Sequence, residues 1–126
     1  MKQICNFKQV NTQYGGVRPF GTSLLIAGVD DLGIWLFSTD PSGAYIEYKA
    51  GSEGHGRKEA MEYFEKNYKD NLSIDDAIAM GINAIYKGTE KKLKPESIEI
   101  ATITTKNKFQ KISLDKTKTY VEKILK

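Results

Sequence analysis

Apolar residues at three-residue spacing, Ile4, Phe7 and Val10, open the chain and predict a helix from residue 1 to about residue 14, stopping before Gly15-Gly16. After Arg18-Pro19-Phe20-Gly21 the pattern changes. Ser23 to Val29 and Ile34 to Phe37 flank the turn Asp30-Asp31-Leu32-Gly33 and read as a hairpin. Asp40-Pro41-Ser42-Gly43 has proline second and glycine fourth, as a type I turn prefers, and leads into a strand from Ala44 to Lys49. A loop over Gly51 to Gly56 follows. From Arg57 the spacing is helical again, with Ala60, Met61, Phe64 and Tyr68 on one side. Asn71-Leu72 breaks this helix. Ser73 is placed to cap the next by accepting from the Asp76 N–H, and Asp75 and Asp76 suit its positive end. The apolar face of that helix runs Ile74, Ala77, Ile78, Ile82 and Ile85, with Gly81 beside it allowing close approach of a neighbour, and it fades near Gly88. Pro95-Glu96 precedes a strand from Ile98 to Thr104; Lys106-Asn107 turns it back into Phe109 to Ser113, and a helix from about Lys116 to Leu125 ends the pattern.

The order of elements is α+β rather than strict βαβ alternation, which disfavours a Rossmann-type domain. No repeat, low-complexity segment or proline-rich linker divides residues 1–126, so they read as a single unit. The strands at Ser23 to Val29 and Ile34 to Phe37 do not alternate cleanly between apolar and polar, which predicts a sheet covered on both faces. Three helices cover only part of such a sheet. A missing half or an obligate partner is therefore expected to supply another layer.

Composition adds mainly exclusions. The 126 residues are 40% hydrophobic and 28% charged, an ordinary globular balance. The longest apolar run, Leu24 to Val29, is far short of the roughly 20 residues a spanning helix needs, so no membrane association is expected. The opening residues lack the apolar stretch of a signal peptide. With one cysteine, Cys5, and one histidine, His55, neither an internal disulfide nor a Cys/His metal cage can form within the chain, and a reducing, cytoplasmic setting is expected. The net charge of +3 is uneven: residues 87–126 carry 11 lysines against 5 acids. Those lysines are dispersed, without arginine clusters or interleaved aromatics, and read as a solvated surface; a basic nucleic-acid-binding module is the alternative they leave.

No residue pattern insists on catalysis. Gly51 to Lys58 has glycines spaced like a phosphate-binding loop, but Arg57 stands at the lysine position and Lys58 at the magnesium-binding hydroxyl position, leaving a flexible loop that feeds a helix. His55 lacks an evident nucleophile to serve as base. Cys5 reads as a buried or neutral helix cysteine, with Lys2 and Lys8 weak grounds for a stabilised thiolate. Asp30, Asp31 and Asp40 sit where turns favour aspartate. Most of Tyr14, Phe20, Trp35, Phe37, Tyr45 and Tyr48 sit at strand positions, where aromatics simply pack, rather than marking a ligand platform. No catalytic, cofactor-binding or metal-binding residues are assigned.

Three strings, taken in order, say more: Thr12 to Gly21 (TQYGGVRPFG) with Ser23 to Gly28, then Thr39 to Gly43 (TDPSG), then Glu47 to Ala50 with Gly54 to Arg57 (GHGR). Together they resemble the alpha-type subunit of the 20S proteasome, particularly its archaeal form. The helix beginning Ser73 to Ala77 and the strand at Ile98 to Thr102 extend the resemblance over essentially the whole chain, which is similar to about the C-terminal half of such a subunit. The resemblance implies part of a four-layer α-β-β-α sandwich of the N-terminal-nucleophile hydrolase class. It also implies a noncatalytic ring subunit whose partners are other alpha subunits, beta subunits and, in a full-length protein, a regulatory ATPase, in the cytoplasm and also the nucleus of a eukaryote.

In that reading Arg18, Pro19, Phe20 and Gly21, with Asp40, Pro41, Ser42 and Gly43, are structural signatures that set loop geometry. The proteolytic relatives use a freed N-terminal threonine, whereas Thr12 lies in a helix end. An active hydrolase of that class remains the other alternative. Where the family usually has Ala-Thr-Ala-Ile-Gly, this chain has Ala50-Gly-Ser-Glu-Gly54, and where the proteolytic members usually carry serine it has His55. An unpaired Glu53 carboxylate, if buried, would cost several kcal/mol or shift its own pKa.

Overall fold

A computed structural model describes residues 1–106 and 108–125. Helix α1 (Lys2–Gln13) precedes three strands, β1 (Leu24–Asp30), β2 (Gly33–Thr39) and β3 (Tyr45–Glu47). Helices α2 (Arg57–Asn67) and α3 (Ile74–Gly88) follow, then a 3-10 turn at Pro95–Ser97, β4 (Ala101–Thr102), β5 (Gln110–Lys111) and α4 (Leu114–Ile124). The α+β order read from the sequence holds.

The first three strands form an antiparallel sheet in the order β1-β2-β3, with unbroken register from Leu24↔Thr39 to Asp30↔Gly33. Because alternate residues share a face, Leu24, Ile26, Trp35, Phe37, Thr39 and Tyr45 lie on one side. Helix α1 sits there, through the contact of Lys8 with Thr39. The opposite side carries Leu25, Ala27, Val29, Ile34, Leu36 and Ile46, with Ser38 at one end.

The buried core lies elsewhere. Ile78 and Ile82 of α3, Ile98 and Val121 of α4 pack together, with Leu93, Ile100, Ile112 and Ile124 against them. Ser73 caps α3 as its sequence predicts: its hydroxyl accepts from Asp76 N–H at 3.1 Å and donates to the Asp76 carboxylate at 2.7 Å.

Several expectations need correction. The close approach attributed to Gly81 belongs to Gly88, where an added Cβ would lie 2.8 Å from the Gly56 carbonyl oxygen; one at Gly81 would meet nothing within 4 Å. Among the described residues the ladder between the predicted strand Ile98 to Thr104 and its partner is short, Ala101↔Lys111 and Thr102↔Gln110, with Ile112 N–H also donating to Ile100 C=O. A two-stranded ribbon alone is marginal, and this one pairs beside the core residues Ile100 and Ile112. The predicted turn includes Asn107, which lies outside the described residues. On α1 the spaced residues Ile4, Phe7 and Val10 are exposed, while Cys5 and Lys8 are buried. By contrast, the sheet that was expected to need a further layer does have an open apolar face, with Ile34 70% and Ile46 59% exposed. Among the described residues no helix is long and apolar enough to cross a membrane.

Candidate functional site: two loops joined on a buried lysine

Lys8 lies one turn after Cys5 on α1 and retains only 1% of its exposure. A lysine is rarely buried so fully unless its donors find acceptors. Here the ammonium donates to Thr22 C=O and to Thr39 Oγ1, both at 2.9 Å, and lies 5.9 Å from the centre of the Phe20 ring, within cation–π range. Phe20 also meets Phe7 edge to face, with ring centres 5.7 Å apart. One side chain thus holds the end of the Arg18-Pro19-Phe20-Gly21 loop and the residue preceding Asp40-Pro41-Ser42-Gly43.

The second loop closes on the same helix. Gly43 has φ of +91°, and a Cβ there would fall 2.6 Å from the Cys5 carbonyl oxygen and 3.0 Å from Gln9 N. Glycine is therefore required twice, for conformation and for space. Gly43 N–H donates to Asp40 C=O at 3.2 Å, closing the predicted turn. The Asp40 carboxylate accepts from Ser42 Oγ at 2.6 Å and Ala44 N–H at 3.1 Å, and these bonds, the Ser42 one foremost, hold its pKa below the usual value. Arg18, Pro19, Pro41 and Ser42 are exposed on this junction. Both groups of signature residues thus meet on α1.

The other candidates fall into structural roles. Asp30 accepts from Leu32 N–H, Gly33 N–H and Trp35 Nε1, and the Trp35 bond leads the causes that lower its pKa. Trp35 and Phe37 stack at 6.3 Å, and Phe37 meets Tyr45 edge to face at 5.9 Å. Thr12 Oγ1 donates to Gln9 C=O at 2.7 Å within the end of α1. Cys5 is buried and His55 exposed.

The loop at Gly51 to Gly56 is fastened rather than free. Glu53, half-buried, accepts from Ser38 Oγ at 2.5 Å and pairs with Arg57 at 3.5 Å, so it is not the unpaired carboxylate its position threatened. Gly56, at φ of +76°, packs its backbone on Gly88 at the end of α3. Among the described residues no three His, Cys, Asp or Glu side chains gather as metal ligands. Sequence reasoning missed Lys8 as a joint. Its available signal was a lysine on the same helical line as Cys5, three residues before it.

These features define an α+β chain whose distinctive residues are committed to joining one element to the next. The chain belongs to the proteasome subunit family, which matches residues 1–103. It is 50% identical over 125 residues to the proteasome subunit alpha of Methanothermobacter thermautotrophicus, covering 98% of this chain and 50% of that protein. It is 51% identical over 123 residues to the proteasome subunit alpha of Archaeoglobus fulgidus (97% of this chain, 50% of the relative), and 48% identical over 124 residues to that of Methanocaldococcus jannaschii (98% and 47%). The chain spans about half the length of these relatives.

Proposed function

We propose that this chain acts as part of a noncatalytic alpha-type proteasome subunit, contributing to a ring that serves protein degradation. The observation that carries this reading is the identity of about half its residues with proteasome alpha subunits along nearly its whole length. The convergence of two loops on Lys8 supports it, because rigid, spatially fixed loops are what a repeated ring contact requires. The hydroxyl of Thr12 is bonded inside α1, which argues against its use as a nucleophile in the manner of a freed terminal threonine. The complete fold in this reading is the four-layer α-β-β-α sandwich, and the partners are other alpha subunits, beta subunits and, for a full-length subunit, a regulatory ATPase.

Native mass spectrometry tests the proposal with the chain alone and with the proteasome beta subunit of its own source. Ring-sized species or incorporation into a barrel are the expected results. A monomer indifferent to the beta subunit would overturn it, and peptidase activity of the isolated chain would overturn its noncatalytic part.

A further inference from the structure

Between α3 and α4 lies a cleft of about 570 Å³ whose two walls carry opposite charge. The α3 wall presents Asp75 and Asp76; the α4 wall presents Lys116 and Lys123, two helical turns apart on one side of their helix. All four side chains belong to exposed residues. Tyr120 and Ile124, half-buried, line the cleft as well and give it apolar surface.

The opposed charges are not joined to one another. Among the described residues none of the four takes part in an ion pair. Asp75 accepts from the Tyr120 hydroxyl at 2.6 Å and Asp76 from the Ser73 hydroxyl at 2.7 Å, which leaves both carboxylates with room for further donors. The cleft also stands apart from the apolar groove on another side of α3, where Ile74, Ala77 and Gly81 face the segment from Ile98 to Thr104. Isoleucine marks that side of the helix as directed to the core, and aspartate marks this one as directed to water or to a polar partner.

A surface of one sign suits an unlike partner, whereas a site with both signs on facing walls can be complementary to itself. Turning a copy over about an axis along the cleft sets its α4 wall opposite the α3 wall of the first, and the reciprocal contact follows by symmetry. An axis across the cleft would instead set aspartate on aspartate and lysine on lysine. We infer that a second copy of this chain docks in the α3/α4 cleft about a two-fold axis along it, with Asp75 and Asp76 of each copy facing Lys116 and Lys123 of the other. Four helices, two from each copy, then lie together as in a bundle. Exposed ion pairs contribute little singly and are screened by salt, so the contact is weak and salt-sensitive. It does not rest on the ring-subunit reading. Neighbours around a ring meet head to tail through two different surfaces, and this contact uses one surface twice.

Sedimentation equilibrium of the chain and its charge-reversed variants tests the inference. The parent should show a monomer–dimer equilibrium at low ionic strength, with a dissociation constant that rises about tenfold or more in high salt. Lys116→Glu with Lys123→Glu makes the cleft wholly acidic, and Asp75→Lys with Asp76→Lys makes it wholly basic. Each variant alone should stay monomeric, while their equimolar mixture should form a heterodimer. The two lysines are exposed, so the acidic variant should keep the circular dichroism of the parent. The basic variant gives up the Tyr120 and Ser73 bonds; if it does not fold, the acidic variant and the salt series decide the matter. A parent that is monomeric at low salt would overturn the inference. So would folded variants that fail to pair, or a dimer that survives in the acidic variant, such as one joined through the Ile34/Ile46 face. Ring-sized species without this two-fold contact would overturn this inference and leave the ring-subunit proposal standing.

Discussion

Tyr120 on α4 donates its phenolic hydrogen to Asp75 Oδ1 in the first turn of α3, 2.6 Å away across 45 residues of sequence. The carboxylate already favours that helix end, and the phenol adds a bond from a separate element. The same bond, with smaller contributions from desolvation and the negative charge of Asp75, raises the Tyr120 pKa above its ordinary value of 10.0. A phenol with a raised folded-state pKa stabilises the fold fully below its unfolded value, and the contribution is lost as pH rises through the folded one. Tyr120→Phe should therefore lower the urea midpoint at neutral pH without changing the slope, and the difference from the parent should close in strong alkali.

Lys8 should separate the effect of lost volume from that of lost hydrogen bonds. Lys8→Ala opens a cavity and removes the donor to Thr22 C=O and Thr39 Oγ1, at a cost of about 2 to 5 kcal/mol. Lys8→Met keeps most of the volume and leaves those acceptors without their donor, costing about 1 to 3 kcal/mol. Chemical denaturation of both variants checks the order, and equal losses would contradict the joint described here.

Two glycines of one helix should answer alanine with opposite signs. At Gly81 there is open space, so Gly81→Ala should stabilise the chain by about 0.5 to 1 kcal/mol through helix propensity. Gly88→Ala pushes a methyl toward the Gly56 carbonyl oxygen, 2.8 Å from the ideal Cβ position, and should destabilise by about 1 to 3 kcal/mol. Thermal melts of the two proteins side by side decide the matter.

Acid should loosen the chain in a defined direction. Asp30, Asp40 and Asp70 all have pKa values lowered from 3.8, led by bonds from Trp35, Ser42 and Lys49 respectively. Lowered carboxylate pKa values give stability that is fully present above the unfolded value and is lost as pH falls through the folded ones. The urea midpoint should fall on acidification below about pH 4. Asp40→Asn should make that fall shallower.

The elements of this fold were legible wherever a local rule acts alone. Ser73 caps α3, Asp40-Pro41-Ser42-Gly43 closes its turn, and Asp30 collects backbone donors in the β1–β2 turn, all as the sequence suggests. What was not legible depends on partners distant in sequence. Lys8 looks like an ordinary surface lysine until Thr39, 31 residues on, is folded against it. Gly88 looks like a helix end until Gly56 meets it. Spacing put Ile4, Phe7 and Val10 on a common stripe but could not say whether this chain supplies the surface that covers it.

The uneven placement of the buried core has a consequence for synthesis. The β1–β2 hairpin and its turn depend on near neighbours, so they can form as soon as they leave the ribosome, whereas Ile78 and Ile82 must wait for Val121, far downstream in α4. For that interval the hairpin stands with oily flanks and without the Ile78/Ile82/Val121 core beside it. Such a species is one that chaperones capture, so the yield of this protein in a cell would depend on the speed of its translation and on what else is being made nearby.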